Sequence, residues 1–368
     1  MNRPLILTGI DLPIEPSCGS TIWCSDVYQR LTDDFRVLYL GLSGSGTWKH
    51  HFPETALLAA DKQPYGPGFD AYAAQLTDEV AALIGAHQPS LIHAQHLGFG
   101  LALAFARAAG TTPVVSVAHG TDVIAAAESE QALQALTEIV AASTKVIVPN
   151  AAMGFEVDRL TRHVYTDRLT TVSWGVPLPP QPTAVPRPWH RLSLLHAGRL
   201  DANKSTITAI ESLALTQDMH HLTVIGSGSQ LPLLKERSQR LGLGEQVTFE
   251  PFLPREELWE RFAGFDALVF TTRQLEAFGL VAVEAQAHGL PVLYGDLPGL
   301  DYTLGDGGLS YRSGDAPALA ELIDRVAADE ALRRDLHGAA AANARRHHIA
   351  NTVAQVTRLS RSAIEGRR

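Results

Sequence analysis

The chain has 368 residues, of which 45% are hydrophobic and 19% are charged. This composition is typical of folded globular proteins and excludes a disordered or coiled-coil protein, while the length favours two domains over one. The formal net charge is −9, and residues 1–180 alone carry ten basic and seventeen acidic side chains. A nucleic-acid-binding protein, which needs a basic surface, is therefore not expected.

The two cysteines, Cys18 and Cys24, are too few for a disulfide framework and have no partners at zinc-binding spacing. The first apolar run is too short for a signal peptide, and no stretch approaches the roughly 20 apolar residues of a membrane span. We therefore expect a cytoplasmic protein without stable membrane insertion. The sequence predicts no particular oligomeric state.

Short apolar, β-branched runs alternate with amphipathic, alanine-rich stretches in the first half of the chain. Runs that are apolar on both faces are buried on both faces, so the alternation predicts a parallel sheet covered by helices. The predicted strands are residues 4–10, 35–40, 90–94, 113–118, 145–148 and 169–174. The predicted helices lie near residues 20–31, 69–87, 97–109, 130–142 and 151–163.

Six prolines occur among the fourteen residues 175–188, which excludes a helix or a central strand and predicts a stiff connector. The alternation then resumes, with strands predicted at residues 191–196, 221–225, 246–250, 267–271, 291–294 and 308–311. Helices are predicted near residues 204–216, 229–242, 254–263, 279–288, 315–328, 330–346 and 351–365. We predict two doubly wound α/β domains, over residues 1–176 and 189–348, joined by a linker at 177–188. Two such sheets facing each other would bind ligands in a cleft beyond the carboxyl ends of their strands.

Two glutamates separated by seven residues follow a predicted strand of the second domain. Glu276 lies in the loop after the strand, and Glu284 lies about one turn inside the next helix. Both carboxylates can bind hydroxyls of a polyol, and the amides of Phe278, Gly279 and Leu280 can face an anion. The spacing fits equally well a loop acid that favours the helix dipole and an ordinary helical glutamate.

A second group of residues follows the first strand of that domain. Gly198 ends the strand and allows a tight turn, and Arg199 and Lys204 follow in the loop before a helix. Two cations near a helix N-terminus can hold a diphosphate and neutralise it as it leaves. A solvated loop is the alternative interpretation.

Together, Arg199, Lys204 and the Glu276–Glu284 pair resemble the retaining GT-B glycosyltransferases of family four, the group 1 glycosyltransferases. The resemblance covers nearly the whole chain and is more specific in the second half. It implies a GT-B fold, with two Rossmann-like domains and a nucleotide-sugar donor in the cleft between them. It also implies that the helix in residues 349–368 packs back on the N-terminal, acceptor-binding domain.

Roles for individual residues come with this resemblance. Arg199 and Lys204 resemble the pair that contacts the donor pyrophosphate, and Glu276 resembles the carboxylate that binds donor-sugar hydroxyls. Glu284 resembles the residue that binds the ribose hydroxyls. The backbone amides of residues 278–280 would then lie near the sugar and the phosphate.

Two features of the first domain resemble the family less closely. His119 follows a predicted strand and resembles the imidazole that contacts the donor sugar near the reacting carbon, although a histidine that satisfies a loop carbonyl is the alternative. Gly19 lies where the family carries a Gly-Gly loop near the donor phosphate or the acceptor. Ser20 replaces the second glycine here.

The expected activity is the transfer of a hexose or an N-acetylhexosamine from a nucleotide sugar to an alcohol, with retention and without a metal or another cofactor. No Asp-x-Asp motif is present, which disfavours a metal-dependent GT-A enzyme. The segment 119–122 resembles members that use UDP-N-acetylglucosamine on small acceptors. The net charge of −7 over residues 1–180 favours a small soluble acceptor, such as a cationic aminocyclitol, over an anionic membrane.

Several other functions compete with this hypothesis. A mannosyl or glucosyl transferase would act on a cell-envelope lipid or polysaccharide, and would show activity on anionic lipid vesicles. A nucleotide-sugar epimerase or a phosphorylase can use the same scaffold, and an epimeric sugar formed without acceptor would indicate the former. A sugar-nucleotide binding protein without catalysis would bind donor and show no turnover.

Overall fold

The computed structural model describes residues 3–15, 18–42, 52, 54–184 and 191–366. The chain divides into two compact units. Residues 1–174 and 349–368 form the first unit, and residues 175–348 form the second. Part of the predicted linker, residues 185–188, lies outside the described residues.

A parallel sheet forms the centre of the first unit. Its strands are β1 (Leu5–Pro13), β2 (Arg36–Leu42), β3 (Glu54–Leu57), β4 (Leu91–Gln95), β5 (Val114–Val117), β6 (Lys145–Val148) and β7 (Leu169–Thr171). They are arranged in the order β3-β2-β1-β4-β5-β6-β7, and each neighbouring pair is parallel. The sequence predicts all of these strands except β3, an edge strand whose four residues are exposed or half-buried and so show no apolar run.

The helices of this unit cover the sheet. They are α1 (Gly19–Tyr28), α2 (Phe69–His87), α3 (Gly100–Ala108), α4 (Thr121–Glu128), α5 (Glu130–Ala142) and α6 (Ala151–Leu160). The sequence does not predict α4, a short helix that starts directly after the loop containing His119. Because α4 follows β5 closely, the two elements fix the backbone of the short loop between them, which contains His119.

The second unit is built in the same way around six parallel strands. They are β8 (Ser193–Ala197), β9 (His221–Ile225), β10 (Val247–Glu250), β11 (Ala267–Phe270), β12 (Val292–Gly295) and β13 (Gly308–Tyr311). Their order is β10-β9-β8-β11-β12-β13. The helices are α7 (Thr206–Leu213), α8 (Leu231–Arg240), α9 (Arg255–Phe262), α10 (Leu280–Ala287), α11 (Leu300–Leu304), α12 (Ala316–Ala328) and α13 (Glu330–Arg346). Only the five-residue α11 is not predicted from the sequence.

The last helix, α14 (Ile349–Glu365), packs on α1, β4 and β5 of the first unit. Its buried face follows helical periodicity and consists of Ile349, Thr352, Val356, Ser360 and Ala363. The Thr352 hydroxyl donates to the Ser173 carbonyl at 3.0 Å. Among the described residues, no helix combines the length and the apolar character needed to cross a membrane.

Each sheet has one position where the direction of the strand order reverses. In the first unit this position lies between β1 and β4, and in the second it lies between β8 and β11. The loops that leave neighbouring strands at such a point diverge to opposite faces, which opens a crevice at the carboxyl ends of the strands. Ligand-binding residues are therefore expected in the loops after β1, β4, β8 and β11.

Candidate functional site

The loops that follow β8 and β9 are held together by backbone hydrogen bonds. The Gly198 amide donates to the Ile225 carbonyl at 3.1 Å, and the Leu200 amide donates to the Ser227 carbonyl at 2.8 Å. A Cβ atom at Gly226 would lie 1.9 Å from the Gly198 carbonyl oxygen, so this approach requires glycine. The loop after β8, which contains Arg199 and Lys204, is thus held in place by the loop after β9.

Lys204 bridges the loops on either side of the reversal in the second sheet. It ends a short 3₁₀ turn, and its Nζ lies 2.8 Å from Glu276 Oε2 and 3.5 Å from Thr272 Oγ1. The Thr271 hydroxyl donates to the Lys204 carbonyl at 2.7 Å, which also holds the backbone of this loop. The side chains of Lys204 and Glu276 retain 24% and 15% of their exposure, so both remain within reach of a ligand.

Glu276 is held in its ionised form by its surroundings. Burial alone would raise the pKa of this carboxyl, but the Lys204 ammonium and the amides of Phe278 and Gly279 outweigh that effect and lower the pKa. Gly279 has a φ of 76° as the residue that precedes α10. The amides of Phe278 and Gly279, which were expected to face an anion, donate to the Glu276 carboxylate, and Leu280 begins the helix.

Arg199 lies in the same loop as Lys204 but is much more exposed. Its Nη1 lies 2.9 Å from Asp201 Oδ2, and half of the arginine side chain (51%) is accessible to solvent. An exposed ion pair of this kind contributes little free energy. The guanidinium can therefore exchange Asp201 for a phosphate at small cost.

Glu284 is placed differently from Glu276. The side chain is buried, and its Oε1 accepts from Arg255 Nε at 2.8 Å while its Oε2 accepts from Trp259 Nε1 at 3.2 Å. Both partners lie on α9, so the carboxylate links α9 to α10. The sequence shows no pattern that would identify Arg255 or Trp259 as its partners.

In the first unit, the carboxylate of Asp122 organises the ends of β4 and β5. Its Oδ2 accepts from the Leu97 amide at 2.6 Å, and its Oδ1 accepts from the amides of Gly120 and Val123 at 2.7 and 3.0 Å. The His119 amide lies 3.2 Å from both oxygens. Asp122 is 1% exposed and was not predicted as a site residue, although an aspartate in the first turn of a helix is a signal for such contacts.

The His119 ring is buried among other rings. It stacks on His96 with centroids 4.3 Å apart, and it contacts Trp23 and Trp174 at 5.6 and 5.0 Å. Burial lowers the pKa of His119 well below its usual range, the neighbouring His96 lowers it further, and Asp122 opposes the shift. The ring is therefore neutral at physiological pH.

His96 has an unusual backbone conformation at the carboxyl end of β4. Its φ is 68°, and its ring lies flat on Phe99 with centroids 3.9 Å apart. Burial lowers the pKa of His96 to about 3, and Lys62 adds to the effect. The Lys62 Nζ lies 4.1 Å from the centroid of the Phe99 ring and donates to the Asp11 carbonyl at 2.9 Å.

Gly19 is the first residue of α1 and is exposed. It follows β1, on one side of the reversal in the first sheet, and Trp23 on the same helix contacts His119. The preceding residues 16 and 17 lie outside the described residues. Gly19 is thus placed at a helix N-terminus, where amides are available to an anion.

The structure therefore brings Lys204 and Glu276 into contact and places Arg199 and Gly198 in the same braced loop. His119 lies in the first unit, with His96 and Gln95 as neighbours that the sequence did not assign to it. In the described part of the chain, no three side chains of His, Cys, Asp or Glu are placed to hold a metal ion.

Solved structures define the class of this architecture. Over 99% of this chain and 100% of its own, sucrose-phosphate synthase from Thermosynechococcus elongatus superposes with a TM-score of 0.84 at 20% identity. Anabaena HepE in complex with UDP-glucose superposes over 98% of this chain and 100% of its own, with a TM-score of 0.82 at 20% identity. The protein has the GT-B glycosyltransferase fold, as the sequence predicted.

The family follows from the second unit. Residues 186–343 match the family model of the glycosyl transferases group 1, so this half of the chain is a group 1 glycosyltransferase domain. The resemblance that the residues 199, 204, 276 and 284 indicate is confirmed at the level of the family.

Curated relatives agree with this assignment. D-inositol 3-phosphate glycosyltransferase of Streptomyces avermitilis is 32% identical over 232 residues, which cover 56% of this chain and 49% of the relative. Glycogen synthase of Mycobacterium tuberculosis is 29% identical over 231 residues, which cover 60% and 55%. The aligned part of the chain spans about half the length of these relatives.

Proposed function

We propose that the protein transfers a hexosyl or N-acetylhexosaminyl group from a nucleoside diphosphate sugar to an alcohol, with retention of the anomeric configuration. The observation that carries this proposal is the Lys204–Glu276 ion pair at the strand-order reversal of the second sheet. A cation for a diphosphate and an ionised acid for sugar hydroxyls lie side by side there. Arg199 adds an exposed second cation in the same loop.

In the proposed reaction, the bond between the anomeric carbon and the diphosphate oxygen breaks while Arg199 and Lys204 neutralise the departing charge. Glu276 is an ionised acceptor that binds hydroxyls of the transferred sugar. The acceptor oxygen bonds to the anomeric carbon from the side of the leaving group, and its proton passes to a phosphate oxygen. This scheme requires neither a metal nor another cofactor.

UDP is the nucleotide that we propose. The Anabaena HepE structure contains UDP-glucose, and the segment 119–122 favours UDP-N-acetylglucosamine among the possible donors. We also propose that the reaction takes place in the cytoplasm, because both Cys18 and Cys24 are free thiols, as is usual in a reducing compartment.

For the acceptor, we propose a small cyclitol-type alcohol. The negative charge of residues 1–180 supports a cationic amino form, whereas the name of the Streptomyces relative supports a phosphorylated one. In the first unit, the Lys62 ammonium lies 3.8 Å from the buried Asp11 carboxylate, so a cation and an anion are both present there. Transfer to a cell-envelope lipid or polysaccharide is the competing function.

The test begins with a thermal-shift screen of UDP-, GDP- and ADP-sugars, since stabilisation grows with the ratio of ligand concentration to Kd. The selected donor is then incubated with neutral, amino-substituted and phosphorylated cyclitols and with anionic lipid vesicles. Product configuration is read by NMR. We expect transfer to a soluble cyclitol with the anomeric configuration of the donor.

Several outcomes would contradict the proposal. An inverted product or a trapped covalent glycosyl-enzyme adduct would exclude the proposed chemistry. Activity on vesicles alone would assign a lipid acceptor, and a preference for phosphorylated cyclitols would refute the cationic one. An epimeric sugar formed without acceptor would indicate an epimerase.

A further inference from the structure

The buried ring of His119 lies at the end of a chain of hydrogen bonds within the first unit. Its Nε2 is 2.9 Å from Gln95 Oε1, whereas its Nδ1 has no hydrogen-bond partner among the described residues. A neutral imidazole carries one proton on one of its two nitrogens. Which nitrogen carries it decides whether the ring offers a ligand a donor or an acceptor.

Ser360, at the other end of this series of hydrogen bonds, determines which group donates and which accepts in each bond. The Ser360 hydroxyl on α14 donates to the Val356 carbonyl at 2.7 Å, which uses its only proton. His93 Nε2 lies 3.1 Å from Ser360 Oγ and must therefore be the N–H donor. Burial lowers the pKa of His93 to about 3, so its other nitrogen, Nδ1, carries no proton.

The direction is then transmitted through Tyr28. Its hydroxyl lies 3.0 Å from His93 Nδ1, a bare nitrogen that can only accept, so the tyrosine proton points to His93. The Tyr28 oxygen in turn accepts from Gln95 Nε2. The same amide nitrogen lies 3.3 Å from Thr8 Oγ1. The Thr8 proton is directed to the His93 carbonyl at 2.9 Å or to the Tyr28 oxygen at 3.1 Å, and in both cases the Thr8 oxygen accepts from Gln95.

Two oxygens thus fix the orientation of the Gln95 amide. Because its nitrogen faces Tyr28 and Thr8, its oxygen faces His119 and requires the proton to be on Nε2 of that ring. His93, Tyr28 and Gln95 are at most 1% exposed, so water does not compete for these bonds.

We propose that Gln95 is a positioning residue that holds His119 as the Nε2–H tautomer, so that Nδ1 offers a bare lone pair to a hydroxyl of the substrate. This inference rests on the proposed function for the identity of the ligand, a sugar hydroxyl. A buried acceptor without a partner is costly, and a hydroxyl of the ligand would satisfy it. The series of hydrogen bonds also connects α14 to His119, because Ser360 on that helix determines which group donates in each bond.

The tautomer can be read directly from the protein without substrate. Protein labelled with ¹⁵N in its histidines is examined by long-range ¹H–¹⁵N correlation, with His119 assigned from its contacts to the rings of Trp23 and Trp174. We expect an N–H signature at Nε2 and a bare-nitrogen signature at Nδ1. A proton on Nδ1 in the wild-type protein would overturn the proposal.

Variants of Gln95 test its role. Gln95→Met keeps the volume but removes the oxygen, and we expect a second population with the proton on Nδ1. Gln95→Glu supplies a carboxylate, which we expect to keep the Nε2–H tautomer and to raise the pKa of His119. The ionisable groups facing this ring are His96, at the end of β4, and Asp122, on α4, and both are unchanged in these variants. The exposed Gln75→Met is the matched control and should leave the spectrum unchanged.

Kinetics then separate this inference from the proposed function. We expect Gln95→Met to lower kcat roughly tenfold with a smaller change in the donor KM, as for the loss of one hydrogen bond in the transition state. An unchanged tautomer in Gln95→Met would overturn the positioning role whatever the activity. The expected tautomers without sugar transfer from any donor would instead contradict the proposed function alone.

Discussion

The side chains of Lys204 and Glu276 form the part of the second unit on which the proposed donor site depends. They are 2.8 Å apart, and each is largely shielded from solvent, so the attraction between them is stronger than for an exposed pair. The ammonium also holds the pKa of Glu276 down against the effect of burial. Removal of the Lys204 ammonium therefore removes an interaction that lowers the pKa of Glu276.

We expect Lys204→Ala to reduce kcat about a hundredfold or more, because loss of one preorganised charge at a leaving group typically raises the barrier by about 3 kcal/mol. The same substitution should raise the pKa of Glu276, which NMR titration of the carboxyl can follow. Lys235→Ala, which changes an exposed lysine on α8, is the matched control. Full activity of Lys204→Ala would exclude Lys204 from the reaction.

At the scale of elements, the Arg255–Glu284 ion pair joins α9 to α10, the helix that starts beside Glu276. The side chains are 10% and 6% exposed, and Arg255 Nη2 lies 2.7 Å from Glu284 Oε1. A shielded carboxylate with these partners is part of the framework of the unit. The family resemblance implies that Glu284 binds the ribose hydroxyls. In that role, the Glu284 carboxylate would accept from the ligand as well as from Arg255 and Trp259.

We expect Glu284→Gln to lower the free energy of unfolding by roughly 3 kcal/mol, since it leaves a shielded guanidinium without its counter-charge. Urea denaturation measures this change. The double variant Arg255→Met/Glu284→Gln should lose less than the sum of the single changes. Glu236→Gln breaks an exposed ion pair with Arg240 on α8 and should cost less than about 1 kcal/mol. Equal effects of the two Glu→Gln changes would contradict this interpretation.

At the scale of the whole molecule, buried neutral histidines occur in both units. Burial lowers the pKa of His93 and of His96 to about 3 in the first unit. In the second unit, burial lowers the pKa of His196 to about 4, although its hydrogen bond to the Val269 carbonyl opposes the shift. The unfolded chain binds a proton at each of these rings near pH 6.5, and the folded chain does not.

Acidification should therefore destabilise the protein well above the pH at which carboxylates titrate. Below about pH 6.5 the unfolded state binds more protons than the folded state, so stability falls as the pH falls toward the folded pKa values. These three rings alone lower the free energy of unfolding by about 4 kcal/mol per pH unit between pH 6 and pH 5, and His119, whose pKa burial also lowers, adds to this slope. Urea denaturation at several pH values measures this slope.

Single substitutions identify the source of that slope. His196→Gln should reduce it by one proton, or about 1.4 kcal/mol per pH unit. The exposed His87→Gln is the matched control and should leave the slope as in the wild type. A free energy of unfolding that is constant between pH 6.5 and pH 5 would contradict the assignment of these rings as neutral in the folded protein.

Much of the architecture is determined by local patterns in the sequence. Buried parallel strands leave continuous apolar runs, and twelve of the thirteen strands were recognisable from such runs. The edge strand β3 was not, because only Ala56 and Leu57 of its four residues are apolar, whereas the edge strand β7 is followed by the buried Val172 and Trp174. The helices α4 and α11 were missed as well. The five residues of α11 are too few to show helical periodicity.

The sequence by itself also indicated the candidate residues of the second unit, because Arg199, Lys204 and Glu276 follow predicted strands at short distances. Only the tertiary structure decided how these groups are paired. Lys204 meets Glu276, 72 positions away, and Glu284 meets Arg255 rather than solvent. The chain of bonds from Ser360 to His119 is a further case, since His93 and Ser360 are 267 positions apart. Patterns in the sequence report neighbours within an element, whereas partners that join distant elements are set by strand order and packing.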